Sequence, residues 1–69
     1  MTLATVPARG TMVRRKRDSN LFTVGETRKG GYVGNVYHEG QVVQLRPVWN
    51  GRTHDKTVAR FLDDFEACA

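Results

Sequence analysis

Four consecutive cations, Arg14-Arg15-Lys16-Arg17, are the residues of this chain whose type and spacing point most directly to chemistry. Arginine presents a planar fork that matches a phosphate or a carboxylate, and it stays charged at any relevant pH. A cluster of four can neutralise several phosphates and release their counterions, or dock on an acidic protein surface. The same run on a solvated tail does neither. The pattern therefore narrows the partner to polyanions and acidic surfaces without choosing between them.

Other reactive side chains are scattered. His38 and His54 stand sixteen residues apart with no cysteine pair near them, which is not a zinc-ligand spacing. Ser19 is the only serine and lies in the basic head, so the sequence suggests no serine–histidine–acid triad. Gly30-Gly31-Tyr32-Val33-Gly34 is rich in glycine, but no lysine follows and no strand-to-helix switch surrounds it, as a phosphate loop requires. Asp63, Asp64 and Glu66 lack a third catalytic group. They read as a solvated acidic face or as a patch for a basic partner. Cys68 is the single cysteine, so no internal disulfide can form, and a reducing compartment, the cytoplasm, is expected. The expectation is a protein that is not an enzyme, with no metal and no cofactor.

Charge is unevenly placed. The first twenty residues hold five of the eleven cations and one of the seven carboxylates, and the remainder balances six against six. The formal net charge of +4 thus belongs to the head. A basic head concentrates a chain near polyanions and leaves the fold to the rest of the sequence. With 69 residues there is room for one domain and a small core. No apolar run approaches the ~18–20 residues that span a bilayer. The head also lacks the pattern of a signal peptide. A soluble, unexported protein with no membrane partner is expected.

The elements that must position these residues follow from periodicity. Residues 1–20 are expected to be a basic, flexible N-terminal arm that orders on a partner. Alternatively, Met12–Arg17 is a strand folded back on Leu21–Glu26 through the turn formers Asp18-Ser19-Asn20. Residues 21–69 are expected to form a β-β-β-α domain. Its strands are Leu21–Thr27, Tyr32–His38 and Gln41–Val48, with turns at Arg28-Lys29-Gly30-Gly31 and Glu39-Gly40. A two-residue Glu39-Gly40 loop pairs Val36 with Val43 and sets Gly34 opposite Leu45; a three-residue loop shifts the pairing by one. In the first register Tyr37, Gln44 and Arg46 share the face away from the helix.

After a turn at Trp49-Asn50-Gly51-Arg52, Thr53 or Asp55 caps a helix whose Val58, Phe61, Leu62 and Phe65 fall at i, i+3, i+4 and i+7. Tyr32 and Trp49 are expected to close the ends of the core. The fold class is then α+β: a small three-stranded antiparallel meander packed on one C-terminal helix.

That order of three strands and a helix resembles the arm-binding domain of some tyrosine recombinases and the plant AP2 domain. The resemblance covers residues 21–66 as topology and implies reading of the DNA major groove by an exposed sheet face. No family motif accompanies it, so no site residue is carried over. In size and lack of catalytic groups the chain also resembles small phage-encoded regulators of a host polymerase or of bacterial immunity.

The expected function is that of a small regulatory nucleic-acid binder, with DNA favoured over RNA. Arg14, Arg15, Lys16 and Arg17 supply phosphate affinity, and Arg28 and Lys29 clamp a phosphate from the first turn. Tyr37 stacks a base, while Gln44 and Arg46 read base edges. The alternative is a protein-binding modulator that docks on a machine such as RNA polymerase through Trp49, Asp63 and Asp64, with the basic head oriented on an acidic surface. An assembly subunit whose arm touches packaged nucleic acid is a third reading. The sequence leaves the oligomeric state open. With about four phosphates contacted by the basic run, log affinity is expected to fall against log salt with a slope near −3.6, measured by titration at several salt concentrations.

Overall fold

Phe22 and Val24 on one strand, and Val43 and Leu45 on the next, are apolar residues two apart, the spacing that sets side chains on one face of a sheet. Around them the computed structural model builds five strands and one helix, describing residues 3–49 and 51–68. The strands are β1 (Met12–Arg15), β2 (Leu21–Val33), β3 (Val36–Pro47), β4 (His54–Thr57) and β5 (Phe65–Ala67), with α1 (Val58–Asp64) between the last two. All pairings are antiparallel, in the order β4-β3-β2-β1-β5. The class is α+β as expected. The sheet, however, has five strands and not three, and the helix precedes the last strand. The topology on which the recombinase and AP2 resemblance rested is therefore not the one observed. The turn expected at Asn50-Gly51 includes Asn50, which lies outside the described residues.

Val13, Phe22, Val24, Val43, Leu45, Phe61 and Phe65 form the core, and Leu3, Val6, Val58 and Leu62 pack against it. Phe65 is the joint. Its ring stacks on Phe61 at 5.3 Å and meets Phe22 edge-on at 5.4 Å. Burying an aromatic side chain of this kind stabilises by about 1.5–3 kcal/mol, so three rings in contact carry a large share of a core this small.

Several expectations need correction. Met12–Arg15 belongs to the sheet and not to a flexible arm, because Val13 alternates into the core and β1 has a partner on each side. Met12 faces Thr23 and Arg14 faces Leu21 on β2, while Val13 faces Ala67 on β5. This is the folded-back alternative. The helix starts later than expected, since the segment holding Asp55 pairs with β3 and is strand. Thr57 is the cap, its hydroxyl accepting from the Arg60 N–H at 3.2 Å. The helix also ends earlier. Phe65 adopts extended geometry (φ −122°, ψ 156°) and joins β1. Tyr32 and Trp49 do not close the core: they are 64% and 82% exposed.

The turns differ most. The chain reverses at Gly34-Asn35, flanked by Val33 opposite Val36, and Gly34 takes the left-handed φ of 63° that a tight hairpin requires. Both expected turns lie inside β2 and β3. Between Lys29↔Gln41 and Gly31↔His38 the single residue Gly30 opposes Glu39 and Gly40, a bulge that absorbs the glycines. The expected pairing of Val36 with Val43 is thereby replaced: Val43 faces Thr27, and Leu45 faces Val24.

Gly30 carries the bulge with φ 81°, and a Cβ there would stand 3.0 Å from the Tyr37 hydroxyl; Gly40 has open space around it. Gly30→Ala is expected to lose about 1–2 kcal/mol of stability from the left-handed backbone alone. Gly40→Ala is expected to stay within about 0.5 kcal/mol of the parent. Urea midpoints of the two variants check the contrast, and equal midpoints would refute the assignment of strain to Gly30.

Candidate nucleic-acid interface

Alternation along β1 decides the fate of the basic run. Val13 points into the core, so Arg14 points outward, and so does its register partner Glu66 on β5. The Arg14 guanidinium reaches Glu66 Oε2 with Nη2 at 2.7 Å and Nε at 2.9 Å. Arg15 closes the following turn. Its Nε lies 3.1 and 3.2 Å from the two Asp18 carboxylate oxygens, and its Nη2 donates to Oδ2 at 2.8 Å. The same guanidinium sits 4.9 Å from the Phe22 ring centroid. Asp18 also accepts from the Asn20 backbone N–H and side-chain amide, and Ser19 takes φ 63° to complete the turn. Two of the four cations are thus hydrogen-bonded to carboxylates of the same chain.

These pairs act on the carboxylates. The hydrogen bond from Arg15 holds the Asp18 carboxyl below the ordinary aspartate range, and the hydrogen bond from Arg14 does the same for Glu66. Slight desolvation opposes both shifts without reversing them.

Lys16 and Arg17 are exposed, Arg17 lying 4.0 Å from Asp18. The Lys16 N–H donates to the Asp64 carbonyl at 2.8 Å, which brings the basic turn against the end of α1. A cleft of about 140 Å³ there is lined by Arg15, Lys16, Arg17, Lys56, Asp63 and Asp64. The acidic helix end, which the peptide dipoles disfavour, therefore meets cations of its own chain. Asp63 and Asp64, which the sequence offered as a surface for a partner, border this cleft, with Asp63 exposed.

The outer face of the sheet is different. Val43 and Leu45 point inward, so Gln44 and Arg46 point outward, with Thr23 opposite Arg46. The segment before β1 runs beside β2: the Gly10 N–H donates to the Val24 carbonyl at 2.7 Å, and the Val24 N–H to the Thr11 carbonyl at 2.9 Å. Arg9 is carried to the same face. Arg9, Gly10, Thr23, Val24, Gly25, Gln44 and Arg46 line a groove of about 190 Å³ with two cations and no carboxylate. Gly25 keeps it open, because a Cβ there would stand 2.9 Å from Gln44 Oε1. Asp55, the register partner of Gln44, lies beyond, with its Oδ2 3.9 Å from Arg28 Nη2.

The proposed site residues are thus divided. Gln44 and Arg46 come together, joined by Arg9, which the sequence reading did not single out. Arg28 and Lys29 lie within β2 and not in a turn. Tyr37 faces Tyr32 near the end of the hairpin. Arg14 shares the outer face but is paired, and Arg15, Lys16 and Arg17 occupy another corner. Trp49 borders a third groove with Arg15, Asn20, Leu21, Phe22, Pro47 and His54, away from Asp63 and Asp64. Among the described residues no three His, Cys, Asp or Glu side chains are grouped to hold a metal ion, and no helix is long and apolar enough to cross a membrane.

Because the folded chain holds Asp18 and Glu66 ionised more firmly than the unfolded chain does, the unfolded chain takes up protons first as pH falls. Stability from the two pairs is therefore complete above the unfolded carboxylate range and is lost as pH drops below that range through the lowered native values. Arg14→Gln is expected to raise the Glu66 pKa toward the ordinary glutamate value and to leave Asp18 low. Carboxyl-carbon NMR titration of the parent and the variant checks this, and an unmoved Glu66 would contradict the pairing. No protein-family model matches this chain, and no curated protein or solved structure matches it either.

Proposed function

We propose that this chain is a small, non-enzymatic nucleic-acid-binding module, and that its binding site is the outer sheet face and not the basic run. The observation that carries the reading is the groove lined by Arg9, Gln44 and Arg46, which contains two arginines and no carboxylate. Neither arginine has an ion-pair partner among the described residues. Their planar forks suit phosphate oxygens, and the Gln44 amide between strands can donate to or accept from a base edge or a sugar. Arg28 stands nearby on β2, with Asp55 as its ion-pair partner. A regulatory role is part of the same proposal: a module of this size would act by occupying its ligand.

With about two phosphates held, the slope of log affinity against log salt is about −1.8 on duplex DNA and about −1.4 on a single strand. Arg9→Ala with Arg46→Ala is expected to flatten that slope and to weaken binding of a fluorescein-labelled oligonucleotide at about 50 mM salt. Lys16→Ala with Arg17→Ala is expected to change it far less. The reverse ranking, or a parent slope near the four-phosphate value, would return the site to the basic run.

A second reading rests on Trp49, which is 82% exposed and is the only tryptophan. Tryptophan is enriched at the centres of protein interfaces. As a docking residue for a polymerase surface it would shift its emission to the blue on addition of purified RNA polymerase. Unchanged emission would reject that reading.

A further inference from the structure

Beyond the sheet, the β2–β3 hairpin continues as a two-stranded ribbon. On β2 the pairing with β1 covers residues 21–23, and on β3 the pairing with β4 covers residues 42–45. Among the described residues, 29–41 therefore have no strand partner other than one another. Near the far end Tyr32 and Tyr37 face one another, with ring centroids 5.3 Å apart and planes at 71°. They are 64% and 56% exposed, and Val36 beside them is 59% exposed. Tyr37 is also positioned from below, since its hydroxyl lies across Gly30, where a side chain would crowd it.

Exposed aromatic rings are costly to leave in water, and here they do not stand alone. Arg28, paired with Asp55, lies between the ribbon and the outer groove of Gln44, Arg46 and Arg9, while Lys29, the next residue on β2, points to the other face. Tyr37 and Arg46 are nine positions apart on β3, about 30 Å of extended chain. Two exposed rings toward one end of β3 and an arginine-lined groove toward the other match the pattern of single-strand binders, which hold about 4–16 nucleotides by phosphate contacts and base–aromatic stacking. In a duplex both faces of each base are covered by neighbouring bases, so the rings gain nothing there. In an unpaired strand each base offers a free π-face.

We propose that Tyr32 and Tyr37 stack unpaired bases and that single-stranded nucleic acid is the ligand of this protein. The proposal rests on the phosphate-binding reading of the outer groove and adds a separate determinant to it. The test uses the full chain and three probes at equal salt: labelled (dT)12, a 12-base-pair duplex and inorganic polyphosphate. The parent is expected to bind (dT)12 more tightly than the duplex. Tyr32→Ala with Tyr37→Ala is expected to lose about fivefold or more on (dT)12 and to leave the duplex and polyphosphate unchanged. Tyr32→Phe with Tyr37→Phe, which keeps both rings, is expected to bind (dT)12 as the parent does; this pair guards against loss of the fold. Arg9→Ala with Arg46→Ala is expected to weaken all three probes. Parent-like binding of (dT)12 by the alanine pair overturns the proposal and points to a protein partner for the rings. A loss on (dT)12 from the tyrosine pair, with no loss from the arginine pair, upholds stacking and removes the groove.

Discussion

Phe65 ties β1 to the C-terminal segment, and the placement of Glu66 beside Arg14 depends on it. It is the residue at which the helix ends and β5 begins, opposite Arg15 in the sheet. Its ring is held between Phe61 of the helix and Phe22 of β2. Once that ring faces inward, alternation sends Glu66 outward beside Arg14. The Arg14–Glu66 pair is thus a consequence of aromatic packing and not an independent device. The Arg15–Asp18 pair closes the turn that follows the same strand, with the Arg15 guanidinium lying over Phe22.

This packing redistributes a charge that the linear sequence concentrates in the head. Arg14 and Arg15 meet carboxylates of the same chain, and the basic turn lies against the acidic helix end. A run of four cations therefore counts for less at the surface than its spelling suggests. Arg9 and Arg46, thirty-seven positions apart in the sequence, line one groove and lie outside all of these pairs. Exposed pairs such as Arg15–Asp18 add little to stability, since solvent screens them. Their effect is on where free positive charge remains.

What the sequence made legible was local and periodic. The stripe Val58, Phe61, Leu62, Phe65 identified the residues that pack from the C-terminal segment, and the alternation Gln44, Leu45, Arg46 identified one outward pair. Helix length was not legible, because Phe65 satisfies the helical stripe and the strand pairing equally well. Turn positions were not legible either. Gly30-Gly31, Gly34-Asn35 and Glu39-Gly40 are all acceptable reversals locally, and only the cross-strand partners choose among them. Arg9 gave no signal at all. It reaches the groove through backbone hydrogen bonds of Gly10 and Thr11 to Val24, which no local pattern announces.

The choice of Gly34-Asn35 has a register explanation. At the base of the hairpin Phe22 faces Pro47 and Val24 faces Leu45; at its tip Gly31 faces His38 and Val33 faces Val36, all in the same alignment. Between them Thr27↔Val43, Arg28↔Val42 and Lys29↔Gln41 are displaced by one. An extra residue on β2 (within Gly25-Glu26, against Gln44) opens the displacement, and an extra residue on β3 (within Glu39-Gly40, against Gly30) cancels it. With one bulge alone, the alignment at the base would not continue into a two-residue turn at Gly34-Asn35. Each bulge also adds right-handed twist, so the ribbon that bears Tyr32 and Tyr37 turns relative to the sheet that bears Arg46. The glycines that look like loop residues in the sequence are what let one long hairpin serve as both core strand and projecting ribbon.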